Sequence, residues 1–203
     1  MPFKPTEREY RSIIGLQRMA VDNDEALILR GTPIVFDTPT VIWEASDGTK
    51  YYEKVDRHAY DECDFSDFIF NRNHGENDGT VFARSRNGSL AHSITEQGVQ
   101  VEITLDKTDQ RHVWLYNDIK AGRIDRMSHC FSNDFEYTYD TETHTRTITK
   151  VRKLFDVSAV DFPAYDQATI STARGFFSEE YAKEVQGLEL AARRKRLLIR
   201  TYL

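Results

Sequence analysis

The chain is poor in the residues that build cross-linked or metal-clipped folds. Its 203 residues hold two cysteines, Cys63 and Cys130, too few for a disulfide framework or a thiolate-only zinc site, so both read as reduced thiols in or near the core. The histidines, at positions 58, 74, 92, 112, 129 and 144, never fall into the H-x-x-x-H ligand spacing, and no metal or organic cofactor is expected. A basic excess is also missing. With 27 lysines and arginines against 33 acids the net charge is -6, which argues against a phosphate-binding surface and a nucleic-acid partner. No apolar run approaches bilayer length, so no membrane partner is expected. The opening Met1-Pro2-Phe3-Lys4-Pro5-Thr6-Glu7 lacks the apolar centre of a signal peptide, and the expected place of action is a cytoplasm. There is no internal repeat and no G-x-S-x-G elbow, which excludes the usual α/β-hydrolase presentation of a serine.

What is present is a composition of 39% hydrophobic and 12% aromatic residues, that of a folded chain with one substantial core. Residues up to about Ile13 are polar, charged and proline-containing and predict a loose arm. The division expected is an arm over 1–24, one domain over 25–175 and a charged helix and tail over 176–203. Ala26 to Phe36 is β-rich but interrupted by Gly31 and Pro33, the mark of a bulged or edge strand. Trp43 to Val55 predicts a hairpin turning at Ser46-Asp47-Gly48, with Tyr51, Glu53 and Val55 on one face and Tyr52 and Lys54 on the other. A short helix is expected within 56–67, a buried strand over Phe65 to Phe70, and a surface loop from Asn71 to Gly79.

Short strands at Val81–Arg84, Leu90–Ile94 and Val99–Leu105 are separated by turn signals at Arg86-Asn87-Gly88 and Glu96-Gln97-Gly98, a spacing that suggests a barrel or sandwich. Asp109 to Ala121 changes to a helical period that Gly122 closes. After Ser128 comes an alternating strand bearing Phe135, Tyr137 and Tyr139, a turn at Asp140 to His144, and a long return through Leu154 to Val160. Ser178-Glu179-Glu180 opens a charged helix. Its basic stretch from Ala191 to Arg200 reads either as a solvated helix or as a docking segment for an acidic partner. The fold class expected is α+β, mainly β: a single β-barrel-like domain with peripheral helices.

Three residues carry candidate chemistry. Ser128 stands after a charged segment and before an apolar run, where a hydroxyl can face substrate while packing holds its strand. His74 lies in a polar, glycine-marked loop just past a buried strand. Asp156 shares a strand face with Leu154, Ser158 and Val160, and a carboxylate there must be partnered or open to solvent. Its ordinary partners are Arg152 or Lys153. A histidine would instead make the acid–imidazole–hydroxyl relay of a serine hydrolase. His129, directly after the serine, points to the opposite strand face and reads as structural or surface. Arg123 and Arg126 read equally as oxyanion helpers and as solvated helix-end charges.

At these positions the chain resembles the prohead, or capsid-maturation, serine proteases of tailed bacteriophages, which are distantly similar to herpesvirus assemblins. Leu29 to Phe36 looks like that family's opening strand, Asn73-His74-Gly75 with Val81 to Arg84 its histidine loop, and Gly88-Ser89-Leu90 with Glu96 to Val99 the next hairpin. Gly122 through Phe131 resembles the nucleophile segment, and Asp156 to Val160 with Pro163-Ala164-Tyr165 the acid strand and its exit. The resemblance implies Ser128 as nucleophile, His74 as general base and Asp156 as orienting acid. The family commonly has glutamate at the third position, so the shorter aspartate must stand nearer the imidazole or act through water; Asp161 is the less favoured substitute. The resemblance further implies scaffold and major capsid proteins as polypeptide substrates, self-processing, action inside the assembling prohead in the host cytoplasm, and a homo-oligomer as one allowed assembly. The alternative is a non-catalytic capsid assembly or scaffold component with the same fold.

Overall fold

A computed structural model describes residues 8–12, 20–23, 26–75, 79–161 and 171–201. In chain order the strands are β1 (Arg8–Ser12), β2 (Ala20–Asn23), β3 (Ile28–Val35), β4 (Thr40–Glu44), β5 (Lys50–Val55), β6 (Ile69–Arg72), β7 (Val81–Arg84), β8 (Leu90–Ile94), β9 (Gly98–Thr104), β10 (Arg126–Ser132), β11 (Glu136–Asp140), β12 (Thr145–Lys150) and β13 (Leu154–Val160); the helices are α1 (Gln110–Lys120) and α2 (Ser171–Thr201). They form three sheets, ordered β1-β10-β13-β6-β7, β11-β12-β5-β4 and β2-β3-β9-β8. The α+β, mainly β class is as expected, but among the described residues no sheet closes into a barrel.

Side-chain alternation sets most of these strands. In β9, Val99, Val101 and Ile103 are buried while Gln100, Glu102 and Thr104 point outward. In β5, Tyr51, Glu53 and Val55 face inward as the pattern predicts. β10 and β13 break the alternation: every residue of β13, and every residue of β10 after Arg126, is buried. Central strands covered on both faces normally read as continuous apolar runs, yet these two carry Ser128, His129, Ser132, Asp156 and Ser158 into the interior. β3 packs against β10, and Leu29, Ile34, Phe70, Ile103, Phe131, Leu154 and Val157, all with no exposed surface, fill the principal core.

The loops follow local chemistry. Asp109 caps α1 by accepting from the Arg111 amide. Gly122, at φ 70°, ends the helix: its amide donates to Ile119 O and the Arg123 amide reaches back to Asp118 O, the paired closure that a left-handed glycine permits. The β4–β5 hairpin turns at Gly48, φ 87°, and β3 is bulged between Gly31 and Ile34.

Several expectations change. The arm is not loose throughout: Arg8–Ser12 pairs along β10, and Ala20–Asn23 along β3. That second pairing, with β9 on the other side, makes β3 an interior strand rather than an edge. Residues 57–62 form successive turns instead of a helix, because their amides bond back only three residues, as from Ala59 to Asp56 and Cys63 to Tyr60. The strand expected at Phe65 begins at Ile69. The C-terminal helix starts at Ser171 rather than Ser178; its Ala173 and Phe177 pack with Ile42, Ala45 and Tyr51 in a second apolar cluster. Ala191 to Lys195 of the basic stretch are exposed on this helix. Pro163-Ala164-Tyr165 and residues 76–78 of the histidine loop lie outside the described residues.

Candidate active site

The site is built on cross-strand neighbours. β10 and β13 run antiparallel with Ser128 opposite Ser158 and Cys130 opposite Asp156. β13 pairs in parallel with β6, setting Ser158 beside Asn71. Beyond β6 the chain must reverse to bring a side chain back over this face. Two consecutive left-handed residues, Asn73 at φ 48° and His74 at φ 56°, make the reversal. Such conformations are uncommon outside glycine and need support from their surroundings. Asp161 supplies it: Asn73 Nδ2 donates to Asp161 Oδ2 at 2.9 Å, the Asp161 amide donates to Asn73 Oδ1 at 3.1 Å, and Arg72 Nη2 donates to Asp161 Oδ1 at 2.8 Å. Asp161 therefore braces the histidine turn and makes no contact with the imidazole.

The imidazole lies between the other two candidates. His74 Nδ1 is 2.7 Å from Asp156 Oδ1, and Nε2 is 2.7 Å from Ser128 Oγ. With Nδ1–H donating to the carboxylate, Nε2 is left as the acceptor for the serine proton. Asp156 reaches the ring directly, without an intervening water. Arg152 pairs instead with Glu136 and Lys153 with Asp64. Ser128 and Asp156 are buried and the His74 side chain nearly so. The serine does not open a strand at a solvent-facing junction as expected; it is the third residue of β10, covered along its edge by β1.

Sequence reasoning missed four further residues. Ser158 Oγ donates to Asp156 Oδ1 at 2.8 Å, lies 3.1 Å from His74 Nδ1 and bonds the Asn71 side-chain amide. The signal was its position two residues after Asp156 on the same strand face. Tyr10 packs edge-on against His74, ring centroids 4.7 Å apart. Burial, with Cys130 and Asp156 nearby, pushes its hydroxyl up to about 12. The Arg11 carbonyl oxygen is 2.8 Å from Ser128 Oγ, so the one hydroxyl proton has two acceptors in reach. Nothing in a short polar segment near the start of the chain pointed to Tyr10 or Arg11.

The surrounding groups separate by chemistry. Burial, with the Asp156 carboxylate alongside, pushes the Cys130 thiol far up, so it is no competing nucleophile. His129 has no exposed surface, donates from Nδ1 to Pro33 O at 3.0 Å on the face away from Ser128, and is driven down to about 3 by burial and the Arg11 charge. Its structural reading holds. Arg123 pairs with Asp118, and Arg126 lies 3.6 Å from Asp125. A cleft of about 500 Å³ opens beside His74 and Asp156, with Arg8, Asn71 and Phe155 in its wall.

A buried hydroxyl, an imidazole and a carboxylate in hydrogen-bonded series can move a proton off the hydroxyl and stabilise the imidazolium that results. A family model described as caudovirus prohead serine protease matches residues 15–183. No curated protein and no solved structure matches the chain.

Proposed function

Since the chain belongs to the caudovirus prohead serine protease family, we propose that it is a serine endopeptidase that cleaves segments of scaffold or major capsid protein, and its own ends, inside the assembling prohead. Ser128 is the nucleophile, His74 the general base and Asp156 the acid that orients the ring. The observation that supports this reading is the unbroken series Ser128 Oγ to His74 Nε2 and His74 Nδ1 to Asp156 Oδ1, each 2.7 Å.

In acylation the Ser128 proton passes to His74 Nε2 as Oγ bonds to the scissile carbonyl carbon. The oxyanion is met by backbone N–H groups beside Ser128. His74 then gives that proton to the leaving nitrogen, the C–N bond breaks, and the acyl group stays on Oγ. Water enters, loses a proton to His74 and attacks the ester; the proton returns to Oγ as the acid product leaves. Asp156 stays ionised throughout and holds Nδ1–H in place. Ser158 bonds the same carboxylate oxygen, Oδ1, that faces Nδ1, and its hydroxyl is in turn held against the Asn71 side chain. Assemblins place a second histidine in the third position; here the carboxylate does the same orienting.

The test compares the wild-type chain with Ser128→Ala by intact mass, after exposure to a fluorophosphonate and after incubation with scaffold protein. Wild type gains one adduct mapping to Ser128 and shortens the scaffold chain; the variant, equally folded by circular dichroism, does neither. Equal behaviour of the two proteins would sink the reading.

A further inference from the structure

β1 runs antiparallel along the serine-bearing strand, with Arg11 opposite His129 and Ser12 opposite Ser128. An extended polypeptide added to a sheet edge lies in this way, offering main chain to the groove and alternate side chains to pockets. Three contacts go beyond edge pairing. The Arg11 carbonyl oxygen meets Ser128 Oγ at 2.8 Å. The preceding side chain, Tyr10, packs on the His74 ring. The Arg11 side chain runs inward to a buried carboxylate, Glu53 of β5, donating from Nε to Oε1 and from Nη2 to Oε2 at 3.3 Å, under the ring of Phe131 at 5.5 Å.

The geometry points to β1 as the occupant of the substrate strand, and to Glu53 as the floor of a pocket that selects arginine at the residue whose carbonyl is attacked, with an acid two residues earlier. The inference rests on the serine-peptidase reading and adds its specificity. Glu53 is 4% exposed and already accepts from Arg146 Nε at 2.8 Å through Oε2. Oε1 is the oxygen that Arg11 Nε satisfies. With β1 displaced, an incoming neutral side chain leaves that oxygen buried without a donor, and an acidic one sets like charges together; both are costly. A guanidinium fork matches the carboxylate. Two arginines on one carboxylate leave a surplus positive charge, which Glu9 offsets by accepting from Arg11 Nη1 at 2.9 Å. The favoured substrate is therefore an acid-x-Arg segment, the pattern of Glu9-Tyr10-Arg11. As seen here the strand is held and not attacked. Its carbonyl oxygen competes with His74 Nε2 for the hydroxyl proton, whereas acylation needs that proton on His74 and the oxygen turned towards N–H donors.

The test ranks reagents on the full chain carrying Arg11→Ala, which empties the pocket and keeps the Glu53–Arg146 pair. Peptidyl phosphonates Glu-Tyr-Arg, Glu-Tyr-Ala, Glu-Tyr-Glu and Ala-Tyr-Arg are compared with a plain fluorophosphonate by rate of Ser128 labelling. Glu-Tyr-Arg should react on the order of a hundredfold faster than the Ala- and Glu-ended reagents and about tenfold faster than Ala-Tyr-Arg, and faster on the variant than on wild type. Comparable rates for the first three reagents, in a chain the fluorophosphonate still labels, overturn the pocket and leave the peptidase reading standing. No labelling by any reagent of a folded Arg11→Ala chain overturns the peptidase reading and this one with it. If Arg11→Ala does not fold, the same ranking on wild type decides, since order and not absolute rate is the readout.

Discussion

Two buried polar clusters lie on either side of β1, and they are stabilised differently. The Ser128–His74–Asp156 cluster has one formal charge and is held through Ser158, whose hydroxyl lies within hydrogen-bond reach of both Asp156 Oδ1 and Asn71 Oδ1. The Arg11–Glu53–Arg146–Glu9 cluster has four formal charges that balance. Burial alone would raise the Glu53 carboxyl, but the two guanidinium groups outweigh it and hold it below its ordinary range. The first cluster is arranged for a proton to move along it. In the second every charge is fixed by another, so it can only be filled or broken. A change in the first should therefore appear as rate, and a change in the second as stability and selectivity.

The largest test of that division is Asp156→Asn, which keeps shape and loses tautomer control. Turnover should fall about ten-thousandfold, with the thermal midpoint little changed; steady-state kinetics with a scaffold substrate checks the first and calorimetry the second. Glu53→Gln breaks the other cluster, leaving Arg11 and Arg146 sharing a neutral partner, and should cost about 3–5 kcal/mol of stability in denaturant titration. A melt within about 1 kcal/mol of wild type would mean that the cluster is solvated after all.

A third test uses pH. The unfolded chain protonates His129 below about pH 6.5, while the folded ring refuses the proton until about 3. Stability should therefore fall with acidification by about 2 kcal/mol between pH 7 and pH 5. His129→Asn should flatten that slope in denaturant titrations at the two pH values. Glu53, with its folded carboxyl depressed, contributes its stabilisation in full above the unfolded value of about 4.3 and loses it as pH drops through the folded one, so its effect comes later in the titration. The smallest expected effect is Ser158→Ala, which removes one donor to Asp156. The turnover number should fall about tenfold with KM unchanged; a change confined to KM would argue against a positioning role.

The two clusters were not equally legible in the sequence. Asp156 stood out because strand alternation sets a carboxylate between Leu154 and Val160, and His74 because the residues around it are turn formers. Ser128 was legible only through the order of motifs around it, since its buried strand reads like a polar junction. The charged cluster left one trace, Glu53 on the apolar face of β5 beside Tyr51 and Val55, the mark of a buried acid in need of a cation. Its partner was hidden because Arg8–Ser12 has no apolar period: Glu9 and Arg11 are buried through ion pairs, which patterning does not register. The helix expected over 56–67 failed for a related reason, because the side chain of Asp56 takes the His58 amide and diverts the backbone into turns.

The pairing of β1 has a further consequence, in time. Arg8 meets Ser132 and Ser12 meets Ser128, so every rung closes a loop of more than a hundred residues, while the hairpins β4–β5, β8–β9 and β11–β12 close short ones. Loop closure of that length is slow and entropically late. The edge of β10 is therefore expected to form before its own strand returns to it, and in that interval it would be open to pairing with an extended segment, including the β1 of a neighbouring copy.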